Sequence, residues 1–167
     1  MGNIMRLTGV ISIICPLSIY IVLSLLNIHN RYFSDKSRIN KLWKASLVLY
    51  FLIIVYMTII RKLPPGIERQ LNLHLFWSYD RWRAADIRWQ VYMNVFLFIP
   101  FGFLLRKRFV GTLLIVLAIS TCIDLTQYIF RLGLCELDDI FHNTLGAMIG
   151  CGYYKILDTL WKKTKKK

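Results

Sequence analysis

Five apolar runs, separated by charged segments, leave this chain few ways to fold. The runs occupy residues 7–26, 45–60, 89–105, 109–130 and 140–161. A stretch of about 20 apolar residues matches the hydrocarbon thickness of a bilayer. Only closed barrels and helices satisfy their own backbone there. The runs show no strict alternation of apolar and polar residues, so helices are expected. Hydrophobic residues make up 56% of the chain, too many for an ordinary soluble domain of 167 residues. The expected fold class is therefore all-α: an integral membrane bundle of about five transmembrane helices, forming one domain over residues 1–167.

The net charge of +13 could suggest nucleic acid. The basic residues, however, sit in short groups between the runs: Arg31, Lys36, Arg38, Lys41 and Lys44, then Arg106, Lys107 and Arg108, then the tail 162–167. That is how membrane topology signals are distributed, and no nucleic-acid partner is expected. With five spans, all three groups fall on one side. This side is the cytoplasm by the positive-inside rule, so the N-terminus is expected outside and the C-terminus in the cytoplasm. The first run is too long for a signal-peptide core, and no small-residue cleavage site follows it. Pro16 within it is tolerable in a membrane helix.

The longest loop, residues 61–88, then lies outside, and Trp77, Trp82 and Trp89 suit a segment in the headgroup region. An interfacial helix is one reading of this loop, and an ordinary aromatic belt is the simpler one. Of the four cysteines, Cys15, Cys122 and Cys151 lie in apolar runs and Cys135 lies in a turn, with no CxxC spacing. Neither disulfides nor a zinc site is indicated, and no cofactor is expected.

Polar residues recur at helical spacing around the last turn. Ser120, Asp124, Gln127 and Arg131 fall at steps of four, three and four, which places them on one helix face. Asp139, Asn143, Gly146 and Gly150 repeat the same steps. Two antiparallel helices would bury these faces together, with Asn94 at similar depth on the third span. An ionisable residue inside a span is a candidate functional residue and needs a partner, and Arg131 is the expected partner of Asp124. The plainer reading is that Asp124, Gln127, Asn94 and Asn143 hydrogen-bond helix to helix and fix the packing. Asp138 and Asp139 suit a helix N-terminus. Together with Glu136 they exceed what capping needs, and they are of the type that binds hard cations or moves protons. No nucleophile stands at useful spacing, and no metal is assigned. Gly146 and Gly150 form a GxxxG that permits close helix approach. His142 is one position off the polar face.

Several of these stretches resemble the VanZ-like membrane proteins. They are Asn94 to Gly102 (NVFLFIPFG), the SxxxDxxQ of Ser120, Asp124 and Gln127, Arg131, and LDDIFHNTLG from Leu137 to Gly146. The earlier RQLNLHLF, beginning at Arg69, is similar to that family's RxxNLxPF element. The resemblance spans about residues 69–152. Leu75 stands where the family usually has Pro, and Asp124 where it usually has Glu. The family's recurrent residues fall here on Arg69, Asn72, Asn94, Pro100, Gly102, Ser120, Asp124, Gln127, Arg131, Asp138, Asp139, Asn143 and Gly146.

The resemblance implies a bacterial cell-envelope protein in a family named for a member that lowers susceptibility to the lipoglycopeptide teicoplanin. On that basis an outward polar cluster is expected to bind an amphiphile: a membrane lipid headgroup, a lipid-linked precursor or the drug itself. In that reading Arg69 and Arg131 meet phosphate or carboxylate. Two other classes compete with it. One is a metal-dependent enzyme on a lipid-linked substrate, using Asp138, Asp139 and Asp124. The other is a structural partner of envelope-synthesis proteins, or a homo-oligomer.

Overall fold

The structure, a computed structural model, describes residues 36–62, 69–82 and 84–164. The expected first span at 7–26 lies outside the described residues. Helix α1 is Lys36–Thr58, followed by a 3-10 turn at Ile60–Lys62 and a short strand β1 at Leu71–Asn72. Next come α2 (Trp77–Asp80), α3 (Ala85–Leu105), α4 (Phe109–Ile129), strand β2 (Cys135–Glu136) and α5 (Leu137–Thr164). The all-α expectation holds for the body of the described chain. The exception is a two-residue parallel ladder that pairs Leu71 with Cys135 and Asn72 with Glu136. It ties the long loop to the turn before α5, and it puts Cys135 in a buried strand, not an open turn.

Long-range hydrogen bonds fix the helix directions. Trp43 Nε1 donates to the Leu104 carbonyl at 2.7 Å and Tyr50 Oη to that of Leu97 at 2.9 Å, so α1 runs antiparallel to α3. Asn143 pairs with Ser120 and Cys151 with Thr112, so α4 and α5 are antiparallel. Helices α3 and α5 run parallel and approach most closely. A Cβ at Gly146 would overlap the carbonyl of Val95, one at Gly150 that of Ile99, and one at Gly102 that of Ala147. These glycines are where backbone meets backbone, a contact any side chain would hold apart.

Tyr50, Ile54, Phe98, Phe101, Phe103, Leu104, Val116, Ile123 and Ala147 form the core. Pro100 lies buried within α3, where it donates no hydrogen bond to the helix ladder. The outer surface is apolar too: Val48, Leu52, Val110, Leu114 and Ile156 are all more than half exposed.

Helices α3 and α4 are long and apolar enough to cross a membrane by length and composition. Helix α1 carries a shorter apolar segment, Trp43–Thr58. The expected fifth span falls inside α5, whose lower half carries Lys155 and Asp158. In place of an extended interfacial helix, the described part of the long loop holds β1 and the four-residue α2. Its N-cap, Phe76, is left-handed at φ 68°.

Candidate functional site

Charge divides the two ends of the bundle. At one end stand Lys44, Arg106 and Lys107, with Lys162 paired to Asp158 at 2.7 Å. There the Arg106 guanidinium lies 3.2 Å from the centre of the Trp43 ring. At the other end are Asp124, Glu136, Asp138 and Asp139, under the loop that carries α2.

The α5 N-terminus organises the acidic end. Asp138 is fully buried and turns toward the loop, where it accepts hydrogen bonds from the Phe76 and Ser78 amides and the Ser78 hydroxyl. Its carboxylate supplies the acceptor that the first amides of α2 lack within their own helix. Asp139, one residue on, points about 100° away around the helix and meets α3 instead. Asn94 Nδ2 donates to its Oδ1 at 2.6 Å, and Gln90 Nε2 at 3.2 Å. The same Gln90 nitrogen lies 3.1 Å from Glu136 Oε2. One amide therefore bridges two carboxylates. One turn further along α5, Asn143 Nδ2 donates to Ser120 Oγ at 2.7 Å. His142, buried on the Asp138 side, has Nε2 3.0 Å from the Tyr79 hydroxyl.

Asp124 is 1% exposed, and its Oδ2 has no hydrogen-bond partner among the described residues. The same holds for Glu136 Oε1 and Asn143 Oδ1. Lys62 is within electrostatic reach of Asp124, Glu136 and Asp139. Its ammonium donates to Gln127 Oε1 at 2.9 Å, while Gln127 Nε2 donates to the Thr58 carbonyl at 3.2 Å. Gln127 thus fastens the end of α1 to α4. Gly133 leaves the room: a Cβ there would come within 2.9 Å of Gln127 Oε1 and 3.0 Å of Lys62 Nζ. Burial, then the neighbouring Asp139 charge, pushes the Glu136 carboxyl up from 4.5 to about 7.

Arg131 does not partner Asp124. Helix α4 ends at Ile129 with a Schellman turn: the Leu132 amide bonds the Gln127 carbonyl at 2.8 Å, and Arg131 takes the left-handed position at φ 57°. The helical phase that would have aligned Arg131 with Asp124 stops there, and Arg131 is exposed. Arg69 is also outside the cluster, with Nη2 on the Ile129 carbonyl at 3.2 Å. Asn72 lies in β1, and its Oδ1 accepts from the His74 amide in a local turn. Of the residues singled out by sequence, Asn94, Ser120, Asp124, Gln127, Asp139 and Asn143 converge where α3, α4 and α5 meet. Asp138 faces the loop. Arg69, Asn72 and Arg131 lie at the rim.

Sequence reasoning passed over Lys62, Gln90 and Ser78. Gln90 could have been found, since it precedes Asn94 by one turn on the same helix face. Lys62 and Ser78 reach their partners across 65 and 60 residues and leave no local signal.

These features define a class: a small bundle of apolar helices, knit by glycine contacts and closed at one end by a buried polar layer. The model of the VanZ/LLP1 family matches residues 47–158, and the chain belongs to that family. It is 29% identical to Protein VanZ of Enterococcus faecium over 126 residues, covering 68% of this chain and 74% of that relative. No solved structure matches it.

Proposed function

We propose that the chain is a multi-pass protein of the bacterial cytoplasmic membrane whose acidic end faces outward. There it binds the headgroup of an amphiphile, such as a membrane lipid or the lipid-bearing part of a lipoglycopeptide, and so lowers susceptibility to the drug. One observation carries this reading. Three buried oxygens in one polar layer, Asp124 Oδ2, Glu136 Oε1 and Asn143 Oδ1, lack a partner among the described residues. Buried polar atoms are rarely left so, and a bound group is a ready source of the missing partners.

The roof above the layer fits an amphiphile. Leu71, Leu73, Leu75, Phe76 and Tyr79 are all more than 40% exposed there, a run of apolar side chains that an acyl chain or the headgroup region would cover. The basic end supplies the orientation argument, since Lys and Arg concentrate on the cytoplasmic side. The enzyme reading needs Asp138 and Asp139 on one metal. Asp138 is committed to three donors of the loop while Asp139 faces α3, and that division disfavours a shared ion.

Drug susceptibility tests the function. Expression in a susceptible bacterium should raise the inhibitory concentration of teicoplanin and leave that of vancomycin unchanged, and deletion should do the reverse. An equal shift for both drugs, or none, contradicts amphiphile binding. Orientation is tested with single cysteines in a cysteine-free chain. A cysteine at Leu73 should react with an impermeant reagent in whole cells, and one at Lys107 should not. Native Cys135 is too buried to serve.

A further inference from the structure

We infer that the group received by the polar layer is a cationic, hydrogen-bond-donating centre: the ammonium of an amine-bearing headgroup. The inference rests on the amphiphile reading above and names its chemistry. The family resemblance suggested the opposite sign, with arginines meeting phosphate or carboxylate.

The donors and acceptors of the layer are unevenly matched. Gln90, Asn94, Lys62, Gln127 and Asn143 supply side-chain donors, and these meet Glu136 Oε2, Asp139, Gln127 Oε1, the Thr58 carbonyl and Ser120 Oγ. Among the described residues, the unpartnered atoms that α4, β2 and α5 bring to the Asp124–Glu136–Asn143 layer are acceptors, while the unpartnered Trp77 Nε1 and His142 Nδ1 belong to the loop side with Asp138. Asp124 Oδ2 comes from α4, Glu136 Oε1 from β2 and Asn143 Oδ1 from α5, and each of these residues is at least nine-tenths buried. A ligand that completes the layer must therefore bring donors, which phosphate and carboxylate oxygens lack.

Charge points the same way. Asp124, Glu136 and Asp139 lie within one another's electrostatic reach, with Lys62 as the opposing charge. Asp138 directs its hydrogen bonds to the loop, and its charge still acts on Glu136 and Asp139. An anion entering a layer that holds three carboxyl groups and one ammonium meets more like charge than opposite charge and is disfavoured there. The two arginines that the family resemblance assigned to an anion are outside it, Arg131 exposed and Arg69 on the end of α4. An ammonium offers three N–H donors and one positive charge to three unpartnered oxygens. The same chemistry is presented by a lipid amine and by a small free amine. Protonation of one carboxyl would reduce the charge with no ligand at all.

Binding to the full-length protein in detergent, followed by tryptophan fluorescence, separates these cases. The probes are dihexanoyl phosphatidylethanolamine, its N-acetylated form, dihexanoyl phosphatidylglycerol and ethanolamine. The amine-bearing lipid should bind saturably, and at least about tenfold more tightly than the acetylated lipid or the glycerol lipid, as expected for a hydrogen-bonded charge pair. Asp124→Asn and Glu136→Gln, each checked for helical content, should each remove that preference. Ethanolamine binding as tightly as the amine lipid would keep the ammonium and overturn the amphiphile. Equal binding of the amine and acetylated lipids, or selectivity that survives in both variants, overturns the ammonium alone. No saturable binding by any probe overturns both.

Discussion

Along α5, Asp138, Asp139, His142 and Asn143 reach their neighbours through side chains, whereas Gly146 and Gly150 bring the backbone of α5 against that of α3. The glycine turns leave no spare space and no spare bonding capacity. The acidic turns keep unpartnered acceptors in a layer that the loop covers. One helix thus holds the bundle together with one part and keeps another part available, and substitutions in the two parts should fail differently.

The largest effect is expected in the glycine part. Gly150→Leu forces a side chain into the Ile99 carbonyl and should cost more than about 3 kcal/mol, leaving little monodisperse protein on size-exclusion chromatography. Gly111→Leu is the contrast: the nearest atom to a Cβ there is the Lys107 Cβ at 3.6 Å, and recovery should be close to normal. Equal recovery of the two variants would erase the distinction between the two parts of α5.

In the acidic part, Asp138→Ala removes the acceptor for three donors and should cost about 3 kcal/mol. The loss should be local, seen as faster proteolysis at Arg81 with helical content retained. Unchanged proteolysis would mean that Asp138 does not hold the loop.

Smaller still is a pH effect. Glu136 has its carboxyl raised from 4.5 to about 7, so the folded state holds that proton more tightly than the unfolded one. Its contribution to stability is present below pH 4.5 and lost as pH rises through 7. The unfolding midpoint in detergent should fall between pH 5 and pH 8, and Glu136→Gln should flatten that fall. A midpoint that rises over this range in the wild type, or a slope unchanged by Glu136→Gln, would contradict the burial of this acid.

The smallest effect belongs to Arg131. Arg131→Gly relieves a left-handed residue and should stabilise by about 1 kcal/mol. Destabilisation by that amount would restore Arg131 as a partner.

That last case shows what the sequence could carry. Periodicity sufficed for Asp124, Asp139 and Asn143, because each lies inside a helix whose phase runs unbroken between them and their neighbours. It failed for Arg131 because the phase was extended two residues past Ile129, where a Schellman turn formed around a residue other than glycine. It also treated Asp138 and Asp139 as a pair, although adjacent helical residues diverge by about 100°. The parallel ladder of Leu71 and Asn72 with Cys135 and Glu136 was invisible, since two-residue strands have no period to read. Lys62 lies just past the second apolar run, where a basic residue is commonplace in a sequence. Its approach to Gln127 depends on the path of the whole loop.

The most direct test of the claim that the acidic end is the functional one uses Asp124→Asn beside Asp158→Asn, which alters the ion pair at the basic end. Both are expressed in a teicoplanin-susceptible strain, with equal membrane levels checked by immunoblot. Asp124→Asn should return the inhibitory concentration to that of cells without the protein, and Asp158→Asn should keep the wild-type value. Full protection by a normally inserted Asp124→Asn protein would mean that the polar layer only packs helices, and would contradict the account.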